Sequence, residues 1–240
     1  MPRAAIFDVD GTLVDTVALH AQAWADTLRR YGVDVPVSEV RTRIGKGGDQ
    51  LTPDFLSPDL ISERGEEIER SRAELFKQVY LPKARGIPGA AELFQALRDR
   101  GLKTALASSC KADELSHYAE LAGIEGLVDA ATTSDDAERS KPYPDIFQAV
   151  LRKLAIAPRD GIVIGDSPYD AEAARAAGLK SVGVLTGGFD EAALRDAGCI
   201  VVYRDLEHLL TRLDASPLVS EHTGPRGEHY LQPLRPRATL

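Results

Sequence analysis

Residues 4–16 read AAIFDVDGTLVDT: four apolar residues run straight into two aspartates two positions apart. An extended segment sends residues i and i+2 to the same side, so Asp8 and Asp10 crowd each other at the end of the first expected strand. Like charges that close raise one pKa or demand a cation. The stretch therefore asks for a metal ion, a shared proton, or both.

Outward from this strand, the chain repeats one pattern from about residue 86. The amphipathic AAELFQALRDRG, with Gly101 as a helix stop, leads into LKTALAS at 102–108. LVDAATTS (127–134), DIFQAVLRKL (145–154) and GIVIGD (161–166) follow, then DAEAARAAG, KSVGVLTGG, DEAALRDAG and CIVVYRD. Helical stretches alternating with near-continuous apolar strands predict an α/β fold with a doubly wound parallel sheet. Ligands bind such sheets at the carboxyl ends of the strands. Asp8, Asp10, Ser108, Ser109 and Asp166 all fall there.

Residues 15–85 break the alternation. They hold long amphipathic stretches, TVALHAQAWADTLRRYG and LISERGEEIERSRAELFKQVY, and no clear strand. The expected organisation is a core of residues 1–14 and 86–213 with a small helical cap, 15–85, inserted after the first strand. Residues 214–240, rich in Pro, Gly and charge, are expected to be irregular or disordered.

The 240 residues, 43% hydrophobic and 28% charged, suit an ordinary globular protein. A formal net charge of −8 argues against non-specific nucleic-acid binding, which needs a basic face, but not against an anionic small substrate. No apolar run approaches the roughly 20 residues that span a bilayer, and the start of the chain lacks a secretory pattern. A cytoplasmic protein is expected, with Cys110 and Cys199 as free, buried thiols.

Three common motifs fail. A calcium loop starting at Asp8 would put its glycine on Leu13 and its bidentate Glu on Leu19. RIGKGGDQ has Val40 and Gly47 where a P-loop needs Gly and Ser/Thr, and Gln50 occupies the third glycine position of GxGxxG.

Asp8-Val9-Asp10-Gly11-Thr12, Ser108 at a strand end, Lys141-Pro142-Tyr143-Pro144-Asp145 and Gly165-Asp166-Ser167-Pro168-Tyr169-Asp170 together resemble the four ordered motifs of the haloacid dehalogenase superfamily. The likeness covers residues 1 to about 213. The helical insertion is similar to the cap of its phosphoglycolate phosphatase and β-phosphoglucomutase branch, and the core would be Rossmann-like.

The resemblance implies Asp8 as nucleophile, forming an aspartyl-phosphate, and Asp10 as general acid and then base. Nearness to Asp8 and to a bound anion would favour the protonated form of Asp10. It implies Mg²⁺ held by Asp8, Asp166, the backbone carbonyl of Asp10, and Asp170 as ligand or supporting partner. Lys141, Ser108, Ser109 and Gly11 would bind the phosphoryl oxygens, Lys141 and Ser108 as catalytic groups. Bland alternatives stand beside these: Asp166 or Ser108 as a helix cap, Lys141 as a solvated loop lysine. His20 and Trp24, one helical turn apart, are candidate substrate residues or cap packing. Arg43 and Lys46 in RTRIGKGGDQL are candidate substrate residues or a solvated loop.

Asp10 points to a phosphate ester, because the dehalogenating and phosphonate-cleaving relatives lack it. Gly165-Asp166 looks more like the phosphatases than the mutases, which have Glu-Asp there. The expected activity is Mg²⁺-dependent hydrolysis of a small phosphorylated metabolite, phosphoglycolate or a sugar phosphate. The alternatives are a sugar-phosphate mutase and a catalytically silent binding module.

Overall fold

Ala4–Phe7 form β1, and every residue of it is buried. Ala5 and Phe7 point into one apolar cluster and Ala4 and Ile6 into another, the period-two alternation of a strand covered on both faces. In the computed structural model, which describes residues 1–220, five further strands join it: β2 (Lys103–Ala107), β3 (Ala130–Thr132), β4 (Gly161–Gly165), β5 (Lys180–Val184) and β6 (Cys199–Tyr203). All pairings are parallel, in the order β3-β2-β1-β4-β5-β6. The doubly wound α/β sheet expected from the alternation is the observed fold. β3 is shorter than the apolar stretch at 127–134 suggested: the Asp129 carboxylate accepts from the Thr104 backbone N–H at 2.9 Å before it, and Thr133 caps a 3-10 turn at Ser134–Asp136 after it.

Between β1 and β2 the chain forms α1 (Val17–Arg30), α2 (Val37–Arg41), α3 (Gly48–Leu51) and α4 (Pro58–Leu75), with a π-turn at Phe76–Tyr80. Val17, Ala21, Trp24, Ala25 and Leu28 make one stripe on α1 and pack with Val40, Leu51 and Ile68 in a cluster of their own. α4 begins where Ser57 Oγ accepts from Leu60 N at 3.3 Å, with Pro58 in the first turn. The two passages between insertion and sheet lie side by side: Asp15 N donates to Arg85 O and Ile87 N to Leu13 O, both at 2.8 Å.

The remaining helices are α5 (Ala90–Asp99), α6 (Ala112–Leu121), α7 (Asp145–Leu154), α8 (Pro168–Ala176), α9 (Glu191–Ala197) and α10 (Leu206–Thr211). Phe94, Leu115, Tyr118 and Leu206 cover the Phe7 face; Phe147, Val150, Ala173 and Ala174 cover the Ile6 face. Full burial of each large apolar side chain contributes about 1.5–3 kcal/mol, so the sheet's centre is a rigid base for its loops. The stretch expected to be irregular from 214 starts with an ordered turn, because Leu218 is buried on the Phe7 side and Ser220 N bonds to Ser216 O at 3.0 Å. The rest of that expectation, 221–240, lies outside the described residues. No helix among the described residues is long and apolar enough to cross a membrane.

Candidate active site

The strand order reverses direction between β1 and β4, which are direct neighbours. Crossovers diverge at such a point and leave a crevice above the strand ends. Asp8 follows β1 and Asp166 follows β4, so the crevice is walled by carboxylates. Gly11 has φ +87°, and a Cβ there would stand 2.4 Å from Asp166 Oδ2. A Cβ on Gly187, in the loop after β5, would stand 1.7 Å from the same oxygen. Two glycines therefore clear the space that Asp166 uses. Thr186 Oγ1 donates to Gly11 O at 2.5 Å and ties the two loops together.

Asp8, Asp166 and Asp170 are all buried, each with a carboxylate oxygen within 4.8 Å of the others. Lys141, 2% exposed, comes from the loop after β3 and donates to Asp8 Oδ1, and to Asp170 Oδ1 at 2.7 Å. It is no solvated loop lysine. Thr12 Oγ1 lies 2.9 Å from Asp166 Oδ1 and 3.4 Å from Asp8 Oδ2. Burial, with the charge of Asp170, pushes Asp8 up to about 7 against the pull of Lys141. Burial and the charges of Asp8 and Asp170 raise Asp166 well above the ordinary carboxylate range. Lys141 is itself held protonated: burial works against its charge, and Asp170 and Asp8 outweigh that.

Three carboxylates against one lysine leave two formal negative charges in a buried, all-oxygen donor set. That is the setting of a hard divalent cation such as Mg²⁺. The residues fit the ion.

The helix-capping alternative for Asp166 fails for a specific reason. Ser167 caps α8: its Oγ accepts from Asp170 N at 3.3 Å, while Asp170 Oδ2 accepts from Ser167 N at 3.1 Å and Ser167 Oγ at 2.6 Å. The box frees Asp166 for the crevice and fixes Asp170, whose other oxygen takes Lys141. Ser108 does not cap α6 either; its Oγ accepts from Cys110 N at 3.1 Å within the turn after β2. Ser109 stands beside it, half-buried.

Residues 2–178 match the haloacid dehalogenase-like hydrolase family. The chain belongs to that family. It is 31% identical over 209 residues to the validoxylamine A 7'-phosphate phosphatase of Streptomyces hygroscopicus subsp. limoneus, covering 86% of this chain and 95% of that one. It is 29% identical to the phosphoglycolate phosphatase of Escherichia coli K12 over 234 residues, 88% and 92% of the two chains. A chloroplastic protein of Arabidopsis thaliana, 30% identical over 213 residues, is spanned over only 20% of its length. Among solved structures, a hydrolase from Pseudomonas syringae superposes with a TM-score of 0.80 at 30% identity, over 88% of this chain and 98% of that one. The chain is thus a hydrolase of this family, with phosphatases among its named relatives.

In this hydrolase Asp10 leaves the carboxylate cluster. Its Oδ1 accepts from Thr16 Oγ1 at 2.6 Å and lies 3.0 Å from His20 Nε2, while the His20 ring stacks on Phe76 at 3.9 Å. Burial works to raise its pKa, but the charge and hydrogen bond of His20, with Thr16 and Lys141, bring it below the ordinary value. The sequence expectation of a proton favoured on Asp10 is corrected for the free protein: Thr16 just before α1 and His20 on it are partners that the Asp8–Asp10 spacing did not reveal.

His20 therefore reaches the site, whereas Trp24 does not open to it. Trp24 is buried in the insertion's own cluster with the Arg72 guanidinium 5.3 Å from its ring. Arg43 Nε and Lys46 Nζ both pair with Asp54 Oδ2, at 2.9 and 2.6 Å. They stand against Tyr169, one residue from Asp170: Lys46 Nζ is 5.4 Å from its ring, and Tyr169 OH donates to Thr42 O at 2.7 Å. Thr12, Thr16, Ser167, Gly187 and Asp54 were not singled out from the sequence. Thr12 was inside the first motif and could have been; Gly187 and Asp54 carry no local signal.

Proposed function

We propose that this hydrolase is a Mg²⁺-dependent phosphatase of small phosphorylated metabolites that works through an aspartyl-phosphate on Asp8. The observation that carries the reading is the buried set Asp8, Asp166, Asp170 and Lys141 at the topological switch point. Asp8, Asp166 and the backbone carbonyl of Asp10 would hold Mg²⁺, with Asp170 beside them. The ion would shield phosphoryl negative charge and hold the ester against the nucleophile.

One Asp8 carboxylate oxygen attacks phosphorus as the bond to the leaving oxygen breaks. Lys141 steadies Asp8 and the phosphoryl oxygens, and Ser108, with the backbone N–H groups around Gly11 and Ser109, donates to those oxygens. Asp10 gives the leaving alkoxide its proton; the incoming phosphoryl charge shifts Asp10 toward the acid form. Asp10 then takes a proton from water, which attacks phosphorus, and the bond to Asp8 breaks to free inorganic phosphate. Residues 15–85 act as the cap that closes over the leaving group, hinged at the paired passages near Asp15 and Arg85. We place the enzyme in the cytoplasm, in keeping with two buried, free cysteines.

The test is phosphate release across a panel of phosphorylated metabolites, with and without Mg²⁺, beside Asp8→Asn. Metal-dependent release that vanishes in the variant supports the reading. Isomerised ester with little free phosphate replaces it with a mutase, and no reaction on any ester refutes both.

A further inference from the structure

Lys141 and Asp170 are each one residue away from a point where the insertion grips the core. Ser140 N donates to Asp49 Oδ2 at 3.1 Å, and Tyr169 OH donates to Thr42 O at 2.7 Å. Between these two grips Lys141 Nζ donates to Asp170 Oδ1 at 2.7 Å, and to Asp8.

The fit around the grips is close. A Cβ at Gly45 would stand 2.6 Å from Ser167 Oγ and 3.1 Å from Tyr169 Cδ2, and one at Gly47 would stand 2.1 Å from Ser140 Oγ. Arg41 lies on the loop after β5: a Cβ at Gly188 would stand 2.4 Å from its Nη2. Residues 41–49 therefore rest on the loops after β3, β4 and β5 at once. The Tyr169 ring is held as well, with Lys46 Nζ 5.4 Å from its centroid and Phe189 edge-on at 6.2 Å. α8 is already capped by the Ser167–Asp170 box, so the Tyr169 phenol is not needed to start the helix.

A lysine is a point charge on a flexible four-carbon stem, so where it sits depends on the backbone that carries it and on the acceptors that take it. Asp170 has little slack, because its Oδ2 is bound by Ser167 N and Oγ. A shift of Ser140 or of Tyr169 thus moves one member of the Lys141–Asp170 pair against the other.

We infer that seating of the insertion sets the Lys141–Asp170 pair, with Asp49 and Tyr169 as positioning residues. The inference rests on the phosphatase reading and extends it: the insertion orders the core's own charges besides covering the leaving group. Neither residue touches the reacting atoms. Weakening either grip loosens Lys141 for every ester alike, and for inorganic phosphate, which has no alcohol part.

The experiment measures kcat/KM for 2-phosphoglycolate, a hexose 6-phosphate and p-nitrophenyl phosphate, and the Kd of inorganic phosphate by titration calorimetry. The proteins are Mg²⁺-loaded wild type, Asp49→Ala, Asp49→Asn and Tyr169→Phe. Asp49→Ala and Tyr169→Phe each lower kcat/KM by about tenfold, by the same factor for every ester, and weaken phosphate binding to a similar degree. Asp49→Asn, whose side-chain oxygen still accepts from Ser140 N, stays near wild type. Asp49 is exposed, so its two variants keep the fold even if Tyr169→Phe does not. A loss that differs from ester to ester with phosphate binding unmoved makes the grips contacts to the leaving group alone and overturns the inference. Wild-type behaviour in Asp49→Ala overturns it too, and the phosphatase reading survives either result. No phosphate release by wild type from any ester overturns both.

Discussion

Asp8→Asn gives the sharpest check on the electrostatics of the crevice, because it predicts a more stable protein from a lost ion pair. In the unfolded chain Asp8 titrates near 3.8; in the metal-free fold, burial and Asp170 hold it at about 7. The folded state therefore binds an extra proton between those values. Stability is fully present below the unfolded pKa and is lost as the pH rises through the folded one. At about 1.4 kcal/mol per pH unit, the rise from about pH 5 to about pH 7 costs wild type about 2–3 kcal/mol that the neutral asparagine does not lose. Lys141 keeps Asp170 as a partner in the variant, so no buried cation is stranded. In EDTA, the advantage of Asp8→Asn over wild type should grow by about 4–12 °C in Tm between about pH 5 and about pH 8. Taking the difference between the two proteins cancels groups that titrate alike in both. Saturating Mg²⁺ should reverse the order, since wild type alone keeps the full ligand set. Scanning calorimetry at the two pH values, with EDTA and with Mg²⁺, reads all of this. An advantage that shrinks with rising pH, or equal stabilisation of both proteins by Mg²⁺, refutes the reasoning.

Two further outcomes follow from the same geometry. Asp10→Asn should lower kcat by about 10²–10⁴ while titration calorimetry shows Mg²⁺ bound nearly as in wild type, because in the proposed mechanism its carboxylate moves the proton and its backbone carbonyl alone would hold the metal; near-normal turnover sinks the assignment. Gly187→Ala should weaken Mg²⁺ binding at least about tenfold with the fold intact by circular dichroism, since its Cβ would stand 1.7 Å from Asp166 Oδ2 and force that carboxylate aside; unchanged Mg²⁺ affinity argues against Asp166 as a ligand.

The doubly wound α/β core and the strand ends to inspect were legible in the order of residues alone. A strand buried on both faces must be apolar throughout, so AAIF and GIVIG announce themselves, and the first polar residue after each marks the mouth of the crevice. The helical insertion was equally plain, because the stripe from Val17 to Leu28 follows the α-helical period.

Tertiary structure decided how those residues act on one another. Lys141 and Asp8 are 133 positions apart and meet only because the loops after β3 and β1 open on the same side of the sheet. The spacing of Asp8 and Asp10 asked for a metal ion, a shared proton, or both; the fold turns Asp10 to Thr16 and His20 and lowers its pKa, and it is Asp166 and Asp170 that crowd Asp8 in a set able to hold a metal. Trp24 and His20 share a helix face in sequence, but the packing of α4 buries one and the stacking of Phe76 directs the other to the site. Periodicity and short motifs report what a residue's own segment requires. Charge balance and pKa depend on distances between segments, and those exist only once the sheet, its loops and the insertion have packed together.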